Sequence, residues 1–573
     1  MRLVPALPPA ALVLAPLALA ADDDPYLWLE DVEGESAMEW VKERNAQSTA
    51  ALAEGEAFQA LQQVLLAAYD SDERIPYVSK RGDWYYNFWR DGEHPRGVWR
   101  RTTLDSYRTD NPAWETVLDI DALGKAEGEN WVWHGATCLA PAYERCIVSL
   151  SRGGADADVK REFDVPDKSF VEGGFTLPEA KGRMQWVDID TVIVGTDFGE
   201  GTTTDSGYPR IAKRWRRGTP LKSAEVLIEG EATDVSAGAY YDDTPGYERT
   251  YAYRALTFYS TRSYVLGKKG FEKLDKQDSA NMSVWKDHVL VELRDDWTVD
   301  GTTYKAGSLL TGPFKTWRKG KKQIQVLFEP DEHTSLAGFS VTRDHLILTT
   351  LQDVKSRVTV LTPGKKAWSR SQVPGLPDFG RVSVSPVDAR EGNAYWLTVR
   401  DYVTPTTVSL GTIGGGPAEP LKALPSFFDA TGLVVSQHFA TSKDGTKIPY
   451  FQVAPEDLEA NGTNPTLLYG YGGFEVSLQP SYSTSVGKAW LEKGGVYVVA
   501  NIRGGGEYGP AWHQAALREK RHRAYEDFAA VAQDLVDRKI TSPEHLGARG
   551  GSNGGLLMGN MYTLYPDHFG AIV

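Results

Sequence analysis

Between residue 75 and about residue 425 the chain is a succession of short apolar runs rich in Trp, Tyr, Val and Thr, broken by turn residues. No other feature limits the fold as much. Residues 83–89, 191–194 and 345–350 read as strands, and Asp91-Gly92, Asp300-Gly301 and Pro363-Gly364 as turns. About 350 residues of this texture exceed what one sandwich can pack. Four-stranded blades repeated around an axis leave only short, protected strand edges. At about 40–50 residues per blade, the length predicts about seven blades. No repeated motif marks them, so the number rests on length.

The flanks have other textures. Residues 25–71 are helical in pattern: Met38 and Val41 lie three apart, and Ala60, Val64, Leu65 and Ala68 recur at helical spacing. After Phe428, Lys443-Asp444-Gly445-Thr446 reads as a hairpin turn, and 466–469 and 495–500 as buried strands of a parallel sheet. Residues 527–539 form an amphipathic helix with Phe528, Val531, Ala532, Leu535 and Val536 on one face, stopped by Thr541-Ser542-Pro543. Strands alternating with helices indicate an α/β layer.

Arg2, an uncharged run to Ala21, and Ala18-Leu19-Ala20 before the cleavage point make residues 1–21 a secretory signal peptide. Pro5, Pro8, Pro9 and Pro16 suit a membrane-spanning helix badly. The mature chain is expected to start at Asp22-Asp23-Asp24 and to be periplasmic or secreted. With 62 Lys+Arg against 77 Asp+Glu, the net charge of −15 argues against binding nucleic acid or an anionic membrane. Cys138 and Cys146 either pair across a hairpin or stay as two buried thiols.

Gly550-Gly551-Ser552-Asn553-Gly554-Gly555 fits G-x-S-x-G, between a short strand (546–549) and a helix. So sharp a reversal holds serine in a strained conformation with its oxygen exposed. The flanking glycines carry no side chain to collide with the crowded strand and helix. Ser552 is the candidate nucleophile, and the Asn553 backbone N–H is placed to donate to an oxyanion. Its base in this fold class follows the serine in the order serine, acid, histidine. Asp567 and His568 come after it, but a helix of about ten residues carries them ~15 Å away. His513, His522 and His545 precede it. The chain reads as cut off mid-strand at Gly570-Ala571-Ile572-Val573, with an open apolar sheet edge that invites aggregation.

Two further glycine clusters stand out. Gly504-Gly505-Gly506-Glu507-Tyr508-Gly509 formally satisfies the dinucleotide pattern G-x-G-x-x-G, but Pro510 follows at once. Tyr469-Gly470-Tyr471-Gly472-Gly473-Phe474 lets backbone approach a substrate, and a tyrosine hydroxyl there can donate to an oxyanion. No H-E-x-x-H and no G-x-x-x-x-G-K-S/T is present, and no cofactor or metal is expected.

These blocks, with Asp24-Pro25-Tyr26-Leu27-Trp28-Leu29-Glu30-Asp31 and Asn501-Ile502-Arg503, resemble the prolyl oligopeptidase family of serine peptidases. Ser151-Arg152-Gly153-Gly154 and Arg161-Glu162-Phe163-Asp164 resemble a bacterial branch. The resemblance implies α/β plus all-β architecture: an α/β-hydrolase domain, incomplete at its C-terminus, with an inserted seven-bladed β-propeller. The expected division is 1–21 signal peptide, 22–72 N-terminal part of the hydrolase domain, 73–427 propeller and 428–573 C-terminal hydrolase domain. Ser552 matches the family nucleophile, Tyr471 the oxyanion tyrosine beside the Asn553 N–H, and Phe474 an aromatic lining the substrate cleft. The family's catalytic aspartate and histidine fall beyond Val573, which puts the activity of this chain in question. The implied reaction is cleavage of short peptides after proline, with no nucleic acid or membrane partner, by a monomer when complete. A related branch cuts after Lys or Arg. It tends to carry a small residue and Tyr where Gly473-Phe474 stand, and Ala where Asn553 stands. The competing readings are a propeller-based binding protein or a catalytically dead fragment, and a dinucleotide enzyme.

Overall fold

The structure is a computed structural model and describes residues 24–31 and 33–573; the signal-peptide expectation for 1–21 lies outside them. The described residues up to Ala67 form one compact unit and residues 68–573 another. In the first, a short 3-10 turn (Leu27–Glu30) leads into the helix Glu35–Leu52, and Trp28 meets Trp40 edge to face. The helix Glu56–Tyr69 follows. Among the described residues, no helix is long and apolar enough to cross a membrane.

The second unit opens with seven four-stranded sheets, and this is the seven-bladed propeller. By number the blades run 79–119, 131–180, 183–229, 236–273, 281–328, 334–372 and 381–423. Each is an antiparallel meander in sequence order, with two additions. Blade 2 carries a fifth strand, Thr176–Ala180, and a hairpin is inserted into blade 5. That hairpin is the one turned by Asp300-Gly301, where both residues have positive φ, as a two-residue hairpin turn requires. Middle strands such as Thr191–Gly195 are buried on both faces between neighbouring blades. They therefore read as continuous apolar runs instead of alternating ones. The short helices Leu104–Arg108 and Ile120–Glu127 interrupt the strand texture. Cys138 and Cys146 stand directly opposite one another in a blade-2 hairpin and form a disulfide.

Blades 1 and 7 share no strand, so the ring closes through side chains. Tyr85 and Tyr107 meet Trp396 edge to face, Arg108 pairs with Glu419 at 3.2 Å, and Lys422 donates to the Thr109 carbonyl at 2.6 Å. A second closure crosses the axis. Arg390, on the first loop of blade 7, donates to the Asp243 carbonyl of blade 4 at 3.0 Å, and Glu391 beside it pairs with Lys80 of blade 1.

The chain then builds a six-stranded sheet in the order Leu433–Thr441, Lys447–Pro455, Val496–Ala500, Thr466–Tyr469, Leu546–Arg549, Ala571–Ile572. Its first two pairings are antiparallel and its last three parallel. The amphipathic helix runs over His522–Asp537, starting five residues before the expected Asp527. Ala524 and Tyr525 extend the buried face backwards, and at the far end Lys539 leaves the helix with φ 57°. The propeller's second-to-third-strand turns face this sheet. In blade 6, Val354, a β-branched residue with φ 68°, is fully buried in the sheet's outer core with Phe451 and Val453. Its neighbour Asp353 bonds Tyr508 and Gln437. The first-to-second-strand loops, including the one bearing Arg390, therefore lie on the opposite face of the propeller.

Candidate active site

Ser552 follows the strand Leu546–Arg549 and caps the helix Asn553–Leu564, with φ 56° and ψ −120°. It is exposed. This is a backbone conformation that L residues avoid, and its steric cause is visible. A Cβ on Gly550 would stand 2.4 Å from the Gly554 carbonyl, and one on Gly554 would stand 2.8 Å from the Gly470 carbonyl. Gly551 and Gly555 have nothing within 4 Å, so two of the four glycines set the turn. The N–H groups of Gly554 and Gly555 bond back to Gly551 and Ser552. The Asn553 N–H has no such partner among the described residues and remains available beside the serine.

The structure brings Tyr471 and Asn553 together. Asn553 Nδ2 donates to the Tyr471 carbonyl at 2.6 Å, and Asn553 Oδ1 accepts from Arg521 at 3.3 Å. Arg521 also donates to the Gly472 carbonyl. A Cβ on Gly473 would lie 2.3 Å from Asn553 Nδ2. Glycine at 473 and asparagine at 553 are thus a matched pair that ties the tyrosine loop to the elbow.

Phe474 and Glu475 both have positive φ, 53° and 59°. Two consecutive non-glycine residues in this region carry strain of about 1–3 kcal/mol each. The strained pair turns Phe474 out of the core, half exposed, edge-on to Phe258 of blade 4 with ring centroids 5.4 Å apart. Glu475 is held by Arg294 from blade 5. Arg294 in turn lies 3.7 Å over the Tyr259 ring and donates to His513. A cavity of about 470 Å³ lies here, walled by propeller residues on one side and the 474–479 loop on the other.

His513 is no base for Ser552. It is buried, its Nδ1 accepts from Arg294, and its Nε2 is 3.3 Å from the Tyr259 hydroxyl. Burial, with Arg294 and Arg521 nearby, pushes its pKa down to about 4, so it stays neutral. His522 bonds the Glu519 carbonyl and His545 bonds Ser542. Asp567 and His568 sit on a 3-10 turn after the helix, His568 packing on Tyr565 and Phe569, as the turn reading expected. None of the ten histidines, all described, hydrogen-bonds Ser552.

The second glycine cluster serves a structural purpose. Arg503 is clamped between Asp527, at 2.6 and 2.9 Å, and Asp444, at 2.5 and 3.2 Å. Both carboxylates raise its pKa against the effect of burial, and Arg503 holds Asp444 well below the usual carboxylate range. Four residues on, Glu507 is fully buried. Its Oε1 accepts from the Leu478 N–H and from Asn501, while Oε2 has no partner, and burial pushes its pKa up to about 7. Sequence reasoning missed this clamp. Its trace was Asp527 itself, an acid on a helix face whose neighbours at 524 and 531 are both buried. The Arg294 network left no trace, since it joins residues about 180 and 220 positions apart.

Known proteins place this geometry. Residues 19–409 match the prolyl oligopeptidase N-terminal β-propeller domain, and residues 480–573 match the prolyl oligopeptidase family. An uncharacterized peptidase of Sinorhizobium fredii is 42% identical over 561 residues, covering 96% of this chain and 77% of that protein. A prolyl endopeptidase of Elizabethkingia meningoseptica is 28% identical, covering 95% and 74%. The solved structure of a post-proline cleaving enzyme from Rickettsia typhi superposes with a TM-score of 0.90 at 32% identity, covering 95% of this chain and 81% of that one.

Proposed function

This chain belongs to the prolyl oligopeptidase family of serine peptidases, and on that premise we propose that it is an exported endopeptidase cutting short peptides on the carboxyl side of proline. The observation that carries the reading is the strained, exposed Ser552 beside a free Asn553 N–H, with Asn553 tied to the Tyr471 loop. Ser552 Oγ attacks the carbonyl carbon of proline while its proton passes to a histidine. The carbonyl oxygen becomes an oxyanion, taken up by the Asn553 N–H and the Tyr471 hydroxyl. The proton then goes to the departing amine as the C–N bond breaks, and water releases the acyl group from Ser552. That histidine, oriented by a carboxylate, is not identified among the described residues, since none of the ten described histidines hydrogen-bonds Ser552.

Proline is favoured over Lys or Arg by Gly473, Phe474 and Asn553. Phe474 and Phe258 offer ring faces, and the adjacent carboxylate, Glu475, is occupied by Arg294. Protein purified from its native host tests the reading. A fluorophosphonate probe is expected to label Ser552, and a Gly-Pro reporter to be cut at least ~10-fold faster than an Arg reporter. Equal rates would move the enzyme to the Lys/Arg branch. A folded protein that takes no label would instead be a binding protein. N-terminal sequencing is expected to begin at Asp22; a retained Met1 would end the export reading.

A further inference from the structure

Arg381 opens the innermost strand of blade 7, Arg381–Pro386, and lines the cavity between the propeller and the Phe474 loop. The other cations near this cleft are engaged, Arg294 by Glu475 and His513, and Arg521 by the Gly472 carbonyl and Asn553. The Arg381 guanidinium has no hydrogen bond or ion pair among the described residues. The carboxyl groups of the cavity do not serve it: Glu475 is held by Arg294, and half-buried Glu292 is bonded by Asn281 with Arg294 as its charged neighbour. Arg381 is open to the solvent of the cavity yet walled by protein. That shelter disfavours its charge, and Arg400 beside it adds repulsion. Elsewhere in this acidic chain, Arg217 meets Glu162 and Arg254 meets Asp234, while Arg81 and Arg100, sheltered without a carboxylate, donate to the Ala136 carbonyl and to Asn87. An unpaired guanidinium in such a place is stabilised most by an anion that arrives from outside, through a charge-assisted and often bidentate contact.

We propose that Arg381 is a specificity-determining subsite that receives a carboxylate of the bound peptide. The inference rests on the peptidase reading above, since it takes the peptide's proline to sit on Phe474. A cavity of 470 Å³ is about 10 Å across if round, which spans about three residues of extended chain. The carboxylate is therefore either the terminus of a short peptide or an acidic side chain within about three residues of proline. Binding it would select short or acidic peptides.

The test uses the full chain carrying Ser552→Ala, with and without Arg381→Gln. Calorimetry measures binding of one proline peptide in three forms: free C-terminal carboxylate, C-terminal amide, and amide with glutamate at the last position. A carboxylate form is expected to bind at least ~10-fold tighter than the plain amide, the size of a charged hydrogen bond. Arg381→Gln should abolish that preference and Arg381→Lys should keep part of it. Tight binding of the free carboxylate alone identifies the terminus as the ligand, and tight binding of the glutamate peptide alone identifies a side chain. Equal binding of all three forms, or a preference that survives Arg381→Gln, overturns the subsite while leaving the peptidase reading intact. Failure of every form to bind a folded chain overturns both.

Discussion

The propeller and the hydrolase sheet are built by opposite rules. Within a blade, strands pair with neighbours close in sequence, apart from the hairpin inserted in blade 5 and the fifth strand of blade 2, so the contacts are mostly local. The hydrolase sheet inserts Val496–Ala500 between strands formed earlier, and its parallel pairings need long crossovers. Order there depends on side chains that reach across many residues. Arg503 collects a turn at 444 and a helix at 527, and Asn553 reaches back to Tyr471. The candidate site lies on the non-local half, where the strained residues Ser552, Phe474 and Glu475 are held by such ties. The comparison teaches that local ladders supply a platform, and long-range polar ties supply the geometry of the chemistry.

The sharpest way to break this contrast is to cut the main tie. Arg503→Met leaves Asp527 buried without its cation and should cost about 3–5 kcal/mol in urea unfolding. A loss below about 1 kcal/mol would show that the clamp is dispensable.

The next effect concerns the matched pair. Gly473→Ala should cost about 1–3 kcal/mol through overlap with Asn553, and Gly551→Ala, with open space around it, within about 0.5 kcal/mol. Asn553→Ala in the same chain should relieve much of the Gly473→Ala cost, a coupling of at least about 1 kcal/mol in a double-mutant cycle. Simple additivity would mean that the two residues do not constrain each other.

Glu507 gives a pH signature. Its carboxyl has an ordinary value of 4.5 and is pushed up to about 7 in the fold. A raised acid pKa means that the folded state binds more protons, so stability falls as pH rises from about 4.5 through 7 and levels off above. Glu507→Gln should flatten that fall and gain about 1–3 kcal/mol at pH 8 relative to its effect at pH 4. Thermal melts across this range that are parallel for the two proteins would show that Glu507 is not the source.

The smallest effect belongs to the propeller seam. Arg108→Ala removes a half-exposed pair with Glu419 and should cost no more than about 1 kcal/mol, less at high salt.

Much of this architecture was legible because it is periodic. Residues 191–194 lie within the strand Thr191–Gly195, the expected 345–350 strand starts one residue later and runs over Leu346–Gln352, and the strand, glycine turn and helix around Ser552 stand where the motif put them. Length alone gave the blade count, since no repeat marks the blades. The ties were not legible. A hydrogen bond from Asn553 to the carbonyl of Tyr471 leaves no sequence period, and neither does an ion pair between Arg294 and Glu475. The cysteines fell between these cases: hairpin spacing allowed a bridge, and only the pairing of Cys138 opposite Cys146 settles it. The expected helix start was late because Ala524 and Tyr525 were not counted with the apolar face they share with Phe528.

The seam between blades 1 and 7 can be treated as a binding equilibrium within one molecule. The two partners, carried on opposite ends of a 350-residue stretch, meet through a buried cluster around Trp396, Tyr85, Tyr107 and Val408, one lysine-to-carbonyl bond and the ion pairs Arg108–Glu419 and Lys80–Glu391. Neither partner donates a strand to the other, so parting them breaks no ladder. The five blades between hold the partners at a high effective concentration, of order millimolar for a tether that spans its sites and higher for a rigid one. A modest contact then suffices to keep the ring shut, and opening it requires parting this interface together with the Arg390–Asp243 contact across the axis. The blades themselves need not unfold.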